Sequence, residues 1–170
     1  MIHSEITISE IDSLISTNEP LLTALSNAAA LLYHSIERIN WCGFYLFNGN
    51  PNDLSPGKLV LGPFGGKPAC TTIELGKGVC GSAALERKII RVAEVNEFPG
   101  HIACDPASQS EIVFPIILSD GRLFGVLDID APMKNRFAEE DEKMLSNVVT
   151  ILENKFSEII ERVGGVNLLA

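Results

Sequence analysis

The chain is predicted to be an α+β protein, an antiparallel sheet with N- and C-terminal helices packed on a face. Two observations carry that prediction. Apolar residues recur at helical spacing near both ends of the chain, and the stretch between them breaks into short apolar runs bounded by Gly, Pro, Asn and Asp. A third is the turn Ser119-Asp120-Gly121-Arg122, which joins two such runs as a hairpin and so implies antiparallel pairing.

At the N-terminal end, Ser9 is placed to cap a short helix reaching Ser16. Asn18-Glu19-Pro20 interrupts it, with Asn18 as a new cap and Pro20 in the first helical turn. From Leu21 to about Ile39, Leu21, Leu22, Leu25, Ala28, Ala29, Leu32 and Ile36 share one helical face. Trp41 to Phe47 is aromatic-rich and reads as a strand. Residues 48–57 are crowded with Asn, Gly and Pro and read as a long hairpin loop leading to a strand at Lys58–Leu61. A strand at Ala69–Glu74 follows, then Gly76-Lys77-Gly78-Val79-Cys80-Gly81 opening a short helix through Glu86, and a strand at Ile89–Val92. Residues 96–110 lack a period and read as loop. Strands at Ser110–Leu118 and Leu123–Asp130 flank the hairpin turn. From Ala138 the chain is helical, with Met144, Leu145, Val148, Val149, Leu152, Phe156, Ile159 and Ile160 on one stripe.

Length and composition narrow the function. With 170 residues and 46% hydrophobic content, residues 1–170 read as a single domain able to bury a full core. The net charge is −9 and no basic cluster is present, which argues against nucleic acid or an anionic membrane as the partner. No segment approaches the roughly 18–20 apolar residues of a membrane helix. The start lacks the basic and apolar regions of a signal peptide. The expected address is the cytoplasm, where cysteines stay reduced and serve catalysis, metal binding or packing rather than structural disulfides.

Three of the four cysteines stand in or beside Gly/Pro-rich segments, where loops present reactive groups. Cys70 ends Gly62-Pro63-Phe64-Gly65-Gly66-Lys67-Pro68-Ala69-Cys70. Cys80 lies inside Gly76-Lys77-Gly78-Val79-Cys80-Gly81, and Cys104 closes Phe98-Pro99-Gly100-His101-Ile102-Ala103-Cys104. Cys42 sits mid-strand among apolar residues, as a packing thiol would. The local sequence leaves the three open as thiol catalysts, metal ligands or small packing residues. His101 precedes Cys104 by three positions, while Asp105 and Glu111 would oppose ionisation of its thiol.

Asp128 and Asp130 end an apolar strand two residues apart, so they point to one face. Buried carboxylates on one face repel unless a cation or a shared proton joins them, and a bound ammonium would serve. Placed beyond the sheet edge, they would instead be solvated turn and cap residues. Glu111 is similarly placed at the start of Ile112-Val113-Phe114-Pro115-Ile116-Ile117-Leu118. Trp41 and Tyr45 share a face of their strand, as core or as a pocket wall. Zinc on Cys70, Cys80, Cys104 and His101 is disfavoured, since nine residues separate the first two cysteines and twenty-three the next pair, against the tight knuckles of structural zinc sites. The glycine-rich stretch before Cys80 lacks the phosphate-loop pattern.

In order along the chain, several blocks resemble the free methionine-(R)-sulfoxide reductases, stand-alone GAF-domain enzymes. They are Asn40-Trp41 with Gly43-Phe44-Tyr45, Leu61-Gly62-Pro63-Phe64, Gly66-Lys67-Pro68-Ala69-Cys70 and Gly76-Lys77-Gly78-Val79-Cys80-Gly81. Phe98-Pro99-Gly100-His101-Ile102-Ala103-Cys104-Asp105, Ser110-Glu111-Ile112-Val113 and Gly125-Val126-Leu127-Asp128-Ile129-Asp130 complete them. The departures are Gly65 in place of the usual Gln, Glu94 where Asp is common, Cys42 where cysteine is unusual, and the lengthened 48–57 loop. Gly65 is expected to loosen the segment leading to Cys70.

The resemblance implies a GAF-like fold and reduction of free methionine-(R)-sulfoxide. Cys104 would attack the sulfoxide sulfur and become a sulfenic acid, Cys70 would condense with it to a disulfide, and thioredoxin would reduce that disulfide. Cys80 would be an auxiliary thiol that relays or packs. Glu111 would be the proton donor, Asp128 and Asp130 would bind the substrate ammonium, and Trp41 and Tyr45 would wall the methyl-sulfinyl end. No cofactor is implied, and a homodimer is. The competing expectation is a non-catalytic GAF sensor of a small molecule or of redox state.

Overall fold

A computed structural model describes residues 4–50, 53–101 and 104–168. Among the described residues, six strands form one antiparallel sheet. They are β1 (Trp41–Asn50), β2 (Asp53–Gly66), β3 (Thr72–Glu74), β4 (Ile90–Val92), β5 (Ser110–Ile117) and β6 (Leu123–Ala131). Their spatial order is β3-β2-β1-β6-β5-β4, with the two three-residue strands at the edges, where short strands limit edge-to-edge association. The helices are α1 (Ser4–Leu14), α2 (Leu21–Ser35), α3 (Gly78–Glu86) and α4 (Glu139–Val163), with a 3₁₀ turn at Val95–Glu97.

The sheet separates two apolar clusters. On one face, α1, α2 and α4 bury Ile11, Leu25, Leu32, Leu145, Leu152 and Phe156 against Cys42, Phe44, Ile112, Phe114 and Leu127 of the strands. On the other, Val79, Cys80, Ala83 and Ala84 of α3 meet Trp41, Tyr45, Val113 and Val126. The predicted stripes of α2 and α4 form the first core, with Leu22 and Met144 half-buried at its margin. Helix α4 starts with the Asp141 carboxylate accepting from the Ala138 N–H at 2.9 Å, an N-terminal cap in the absence of a polar side chain at position 138.

Several expected boundaries move. Helix α1 begins at Ser4 and ends at Leu14, so Ser9 lies inside it and caps nothing. Asn18 does not cap α2. Its own N–H donates to Ser16 Oγ at 3.3 Å, and Pro20 holds the cap position. Helix α2 stops at Ser35, because Ile36 turns extended at φ −92° and ψ 114°. The strand expected over Ala69–Glu74 is confined to Thr72–Glu74.

The largest correction concerns the lengthened 48–57 loop. Apart from residues 51 and 52, which lie outside the described residues, this stretch is strand. Asn48 pairs with Lys58 and Asn50 with Asp53, so the intervening residues of β2 form a bulge. A second irregularity lies where Gly43 pairs with Phe64 and Tyr45 with Leu61, setting both Gly62 and Pro63 opposite the single residue Phe44. Bulges accept proline because they need no ladder hydrogen bond. Gly65 does not loosen a loop either. It is paired with Cys42 inside β2, and a Cβ there would stand 2.5 Å from Tyr33 Cγ, so the glycine admits the α2 tyrosine.

Candidate active site

Alternation along three neighbouring strands builds the site. Trp41, Asp130 and Glu111 form one cross-strand row on the α3 side of the sheet, and Gly43, Asp128 and Val113 form the next. Cys42 and Ile129, one position along, face the helix-packed core. Cys42 is therefore excluded from the site, as its mid-strand setting implied.

Helix α3 brings Cys80 onto this row. Its approach depends on two glycines. Gly76 takes φ +77°, and a Cβ on Gly81 would sit 2.3 Å from the Glu74 carbonyl oxygen. Cys80 Sγ then lies 3.8 Å from Glu111 Oε1. Cys80, Glu111 and Asp128 are all buried, and one donor atom from each lies within 4.8 Å of the others.

Cys70 and Cys104 are joined by a disulfide with a Cα–Cα separation of 5.4 Å. The residues between His101 and Cys104 lie outside the described ones. The aromatic pair anchors the Cys70 arm. Trp41 Nε1 donates to the Lys67 carbonyl at 3.1 Å and the Tyr45 hydroxyl to the Cys70 carbonyl at 3.0 Å. Trp41 stacks on Phe64 with centroids 5.3 Å apart, and on Tyr45 at 5.8 Å. The structure thus places all eight sequence-predicted residues, Trp41, Tyr45, Cys70, Cys80, Cys104, Glu111, Asp128 and Asp130, around one pocket or on the arm that closes it. The pocket is partly open to solvent, and the space in it that water can enter is about 30 Å³.

The electrostatics follow from the burial of several acids close together. Burial raises the Glu111 carboxyl well above its ordinary range, and Asp128 and Asp130 push it further. Asp128 is pushed up to about 7 by burial, moderated by hydrogen bonding to Cys80 and Glu111. Asp130 is raised by burial and by Asp128. Burial, then Asp128 and Glu111, also raise the Cys80 thiol, which stays protonated and a poor nucleophile. Lys77 also lines the pocket, but its side chain is exposed.

Two residues that sequence reasoning left unassigned complete the rim. Asn40 Nδ2 donates to Asp105 Oδ2 at 3.1 Å and to Ser108 Oγ at 3.0 Å. Ser108 in turn hydrogen-bonds Asp130 and restrains the rise of its pKa. His101 lines the same pocket, and its Nδ1 is buried without a hydrogen-bond partner among the described residues.

This sheet, with α1, α2 and α4 on one face and α3 and the pocket on the other, is the GAF fold, and the GAF domain family model matches residues 20–155. Three proteins refine the class. The chain is 44% identical over 144 residues to the free methionine-R-sulfoxide reductase of Escherichia coli, covering 85% of this chain and 82% of that one. It superimposes on the reduced form of the Staphylococcus aureus enzyme of the same name with a TM-score of 0.83 at 44% identity, covering 92% and 96% of the two chains. The Neisseria meningitidis free methionine-R-sulfoxide reductase, in complex with its substrate, gives a TM-score of 0.83 at 37% identity, covering 94% and 91%. The chain belongs to the free methionine-R-sulfoxide reductase family of GAF-domain proteins.

Proposed function

We propose that this protein reduces free methionine-(R)-sulfoxide to methionine, with Cys104 as nucleophile. The Cys104 thiolate attacks the sulfoxide sulfur while Glu111, kept protonated by burial, donates a proton to the departing oxygen. Two electrons pass from the cysteine sulfur to the substrate. The attack forms an S–S bond between Cys104 and the substrate as the twice-protonated oxygen leaves as water. A water molecule then breaks that bond at Cys104 Sγ, releasing methionine and leaving Cys104 as a sulfenic acid. The Cys70 thiol then displaces the sulfenic oxygen as water and forms the Cys70–Cys104 disulfide. Thioredoxin, by dithiol exchange, returns both cysteines to thiols and is itself oxidised to a disulfide.

The observation that carries this reading is the Cys70–Cys104 disulfide against a pocket floored by protonatable acids. It is the product state of such a cycle, and the acids supply both a proton and a receptor for the substrate ammonium. Asp130 and Asp128 take the ammonium, which ionises them, and Trp41 and Tyr45 wall the apolar end. A free ammonium is a requirement that a methionine sulfoxide residue within a polypeptide does not meet.

Turnover of the separated sulfoxide epimers with thioredoxin or dithiothreitol tests the proposal. The expected outcome is consumption of the R epimer alone and loss of that activity in Cys104→Ser. Undiminished reduction by Cys104→Ser would overturn the mechanism. Mass mapping of a single oxidising turnover should find Cys70 joined to Cys104, and a Cys80–Cys104 bridge would reassign the resolving role.

A further inference from the structure

Cys104 is followed directly by a turn. The Ser108 N–H donates to the Asp105 carbonyl at 3.1 Å, and the Ala107 N–H to Asp105 Oδ1 at 2.9 Å, with Pro106 at the position where proline suits such a turn. Asn40 reaches both ends of it. Its side-chain nitrogen carries two hydrogens and donates to Asp105 Oδ2 at 3.1 Å and to Ser108 Oγ at 3.0 Å. The backbone N–H of Asn40 donates to the Asp130 carbonyl at 2.9 Å, which ties the residue to β6. Asn40 Oδ1 is buried without a hydrogen-bond partner among the described residues, so the side chain forgoes an acceptor bond to keep both donors in place.

These bonds have a fixed direction. The Ala107 N–H, then Asn40 and Lys67, hold the Asp105 carboxyl below its usual range, so it is ionised and only accepts. Asn40 therefore turns its nitrogen, not its oxygen, toward Asp105 and Ser108. A serine hydroxyl has one proton. Because Ser108 Oγ accepts from Asn40, that proton is left for Asp130, to which Ser108 is hydrogen-bonded. We infer that Asn40 is a positioning residue, one side chain that fixes both the turn behind Cys104 and the hydroxyl that Ser108 presents to Asp130. Its consequences for turnover rest on the roles proposed above for Cys104 and Asp130. The clamp on the turn does not.

Two sets of measurements on the full chain test this role. Without substrate, the Ala107 and Ser108 amides should exchange with solvent roughly tenfold faster in Asn40→Ala than in the parent. In turnover of methionine-(R)-sulfoxide, Asn40→Ala should lower kcat roughly tenfold or more, since the turn no longer holds the nucleophile in place. Ser108→Ala should instead raise KM about tenfold with little change in kcat, because Asp130 loses a donor that favours its charged form. The double variant Asn40→Asp with Asp105→Asn reverses the bond between the two positions and keeps an oxygen for the Ala107 N–H. It should return amide exchange and kcat toward the parent values, a rescue that a loss of general stability would not show. Unchanged exchange in Asn40→Ala, a parent-like kcat in that variant, or a double variant as slow as Asn40→Ala would overturn the role. Exchange needs no turnover, so failure of the clamp and failure of the reductase reading are told apart.

Discussion

Glu111 is the second residue of β5, with its side chain on the pocket face, between Asp130 across the ladder and Cys80 above it. Burial and two like-charged neighbours keep it protonated at pH values where a solvated glutamate is ionised. A general acid contributes about 10²–10⁴-fold to a rate. Glu111→Gln should therefore lower kcat by roughly 100-fold or more with a much smaller change in KM. The sign of the pH effect follows. In the proposed role the acid works protonated, so kcat should fall as pH rises through its elevated pKa, and that alkaline limb should vanish in Glu111→Gln. An unchanged pH profile in the variant would transfer the role to another carboxyl. At this scale the sequence was informative where chemistry and a period of two coincide, as for Asp128, Asp130 and Glu111. It was silent on Asn40 and Ser108, polar residues whose meaning depends on partners 65 and 68 positions away.

Among the elements, α3 is the most constrained by its surroundings. Gly81 passes so close to β3 that a methyl group would meet the Glu74 carbonyl oxygen at 2.3 Å. The Gly76 N–H also donates to the Gly81 carbonyl at 2.8 Å, fixing the turn before the helix. Gly81→Ala must displace either β3 or the helix. The expected cost is about 1–3 kcal/mol, measurable by denaturant unfolding, with Cys80 drawn away from Glu111. A loss under half that size would mean that β3 yields freely. The strands themselves were legible from apolar runs, and so was the β1–β2 hairpin, but the extension of both strands into residues 48–57 was not. The hairpin's far half is built from Asn, Gly and Pro, which signal a loop, while ladder hydrogen bonds between backbones are indifferent to side-chain type. Pro115 shows the complementary case. It lies on β5 opposite Val126 of β6 and beyond Val113, the last residue paired with β4, so its missing N–H costs no bond to β4.

For the molecule as a whole, the helix face supplies packing and the α3 face concentrates unfavourable charge. Asp128 titrates near 7 when folded and near 3.8 when solvated. Over that interval the folded state binds the proton more tightly, so the contribution of Asp128 to stability is greatest below about 3.8 and is lost as pH rises to about 7. Glu111 and Asp130 are shifted in the same direction. Asp128→Asn should therefore melt at a higher temperature than the parent at pH 8, and the advantage should shrink toward pH 4. Each kcal/mol recovered is worth about 2–4 °C in Tm for a chain of this size. An advantage independent of pH would show that the variant acts through packing.

Because β1, β5 and β6 each carry pocket residues and core residues in strict alternation, their lengths are fixed as firmly as their chemistry. A one-residue deletion within β5, upstream of Phe114, would exchange the two faces of the strand segment before it. Glu111 would be driven among the leucines of α4, and Ile112 would be delivered to the sulfur chemistry. Such a change damages stability and activity together, whereas substitution at either face can damage one alone. Insertions should be tolerated only where no alternation is interrupted, such as the Ser119–Gly121 turn, in which a side chain at Gly121 would have no neighbouring atom within 4 Å.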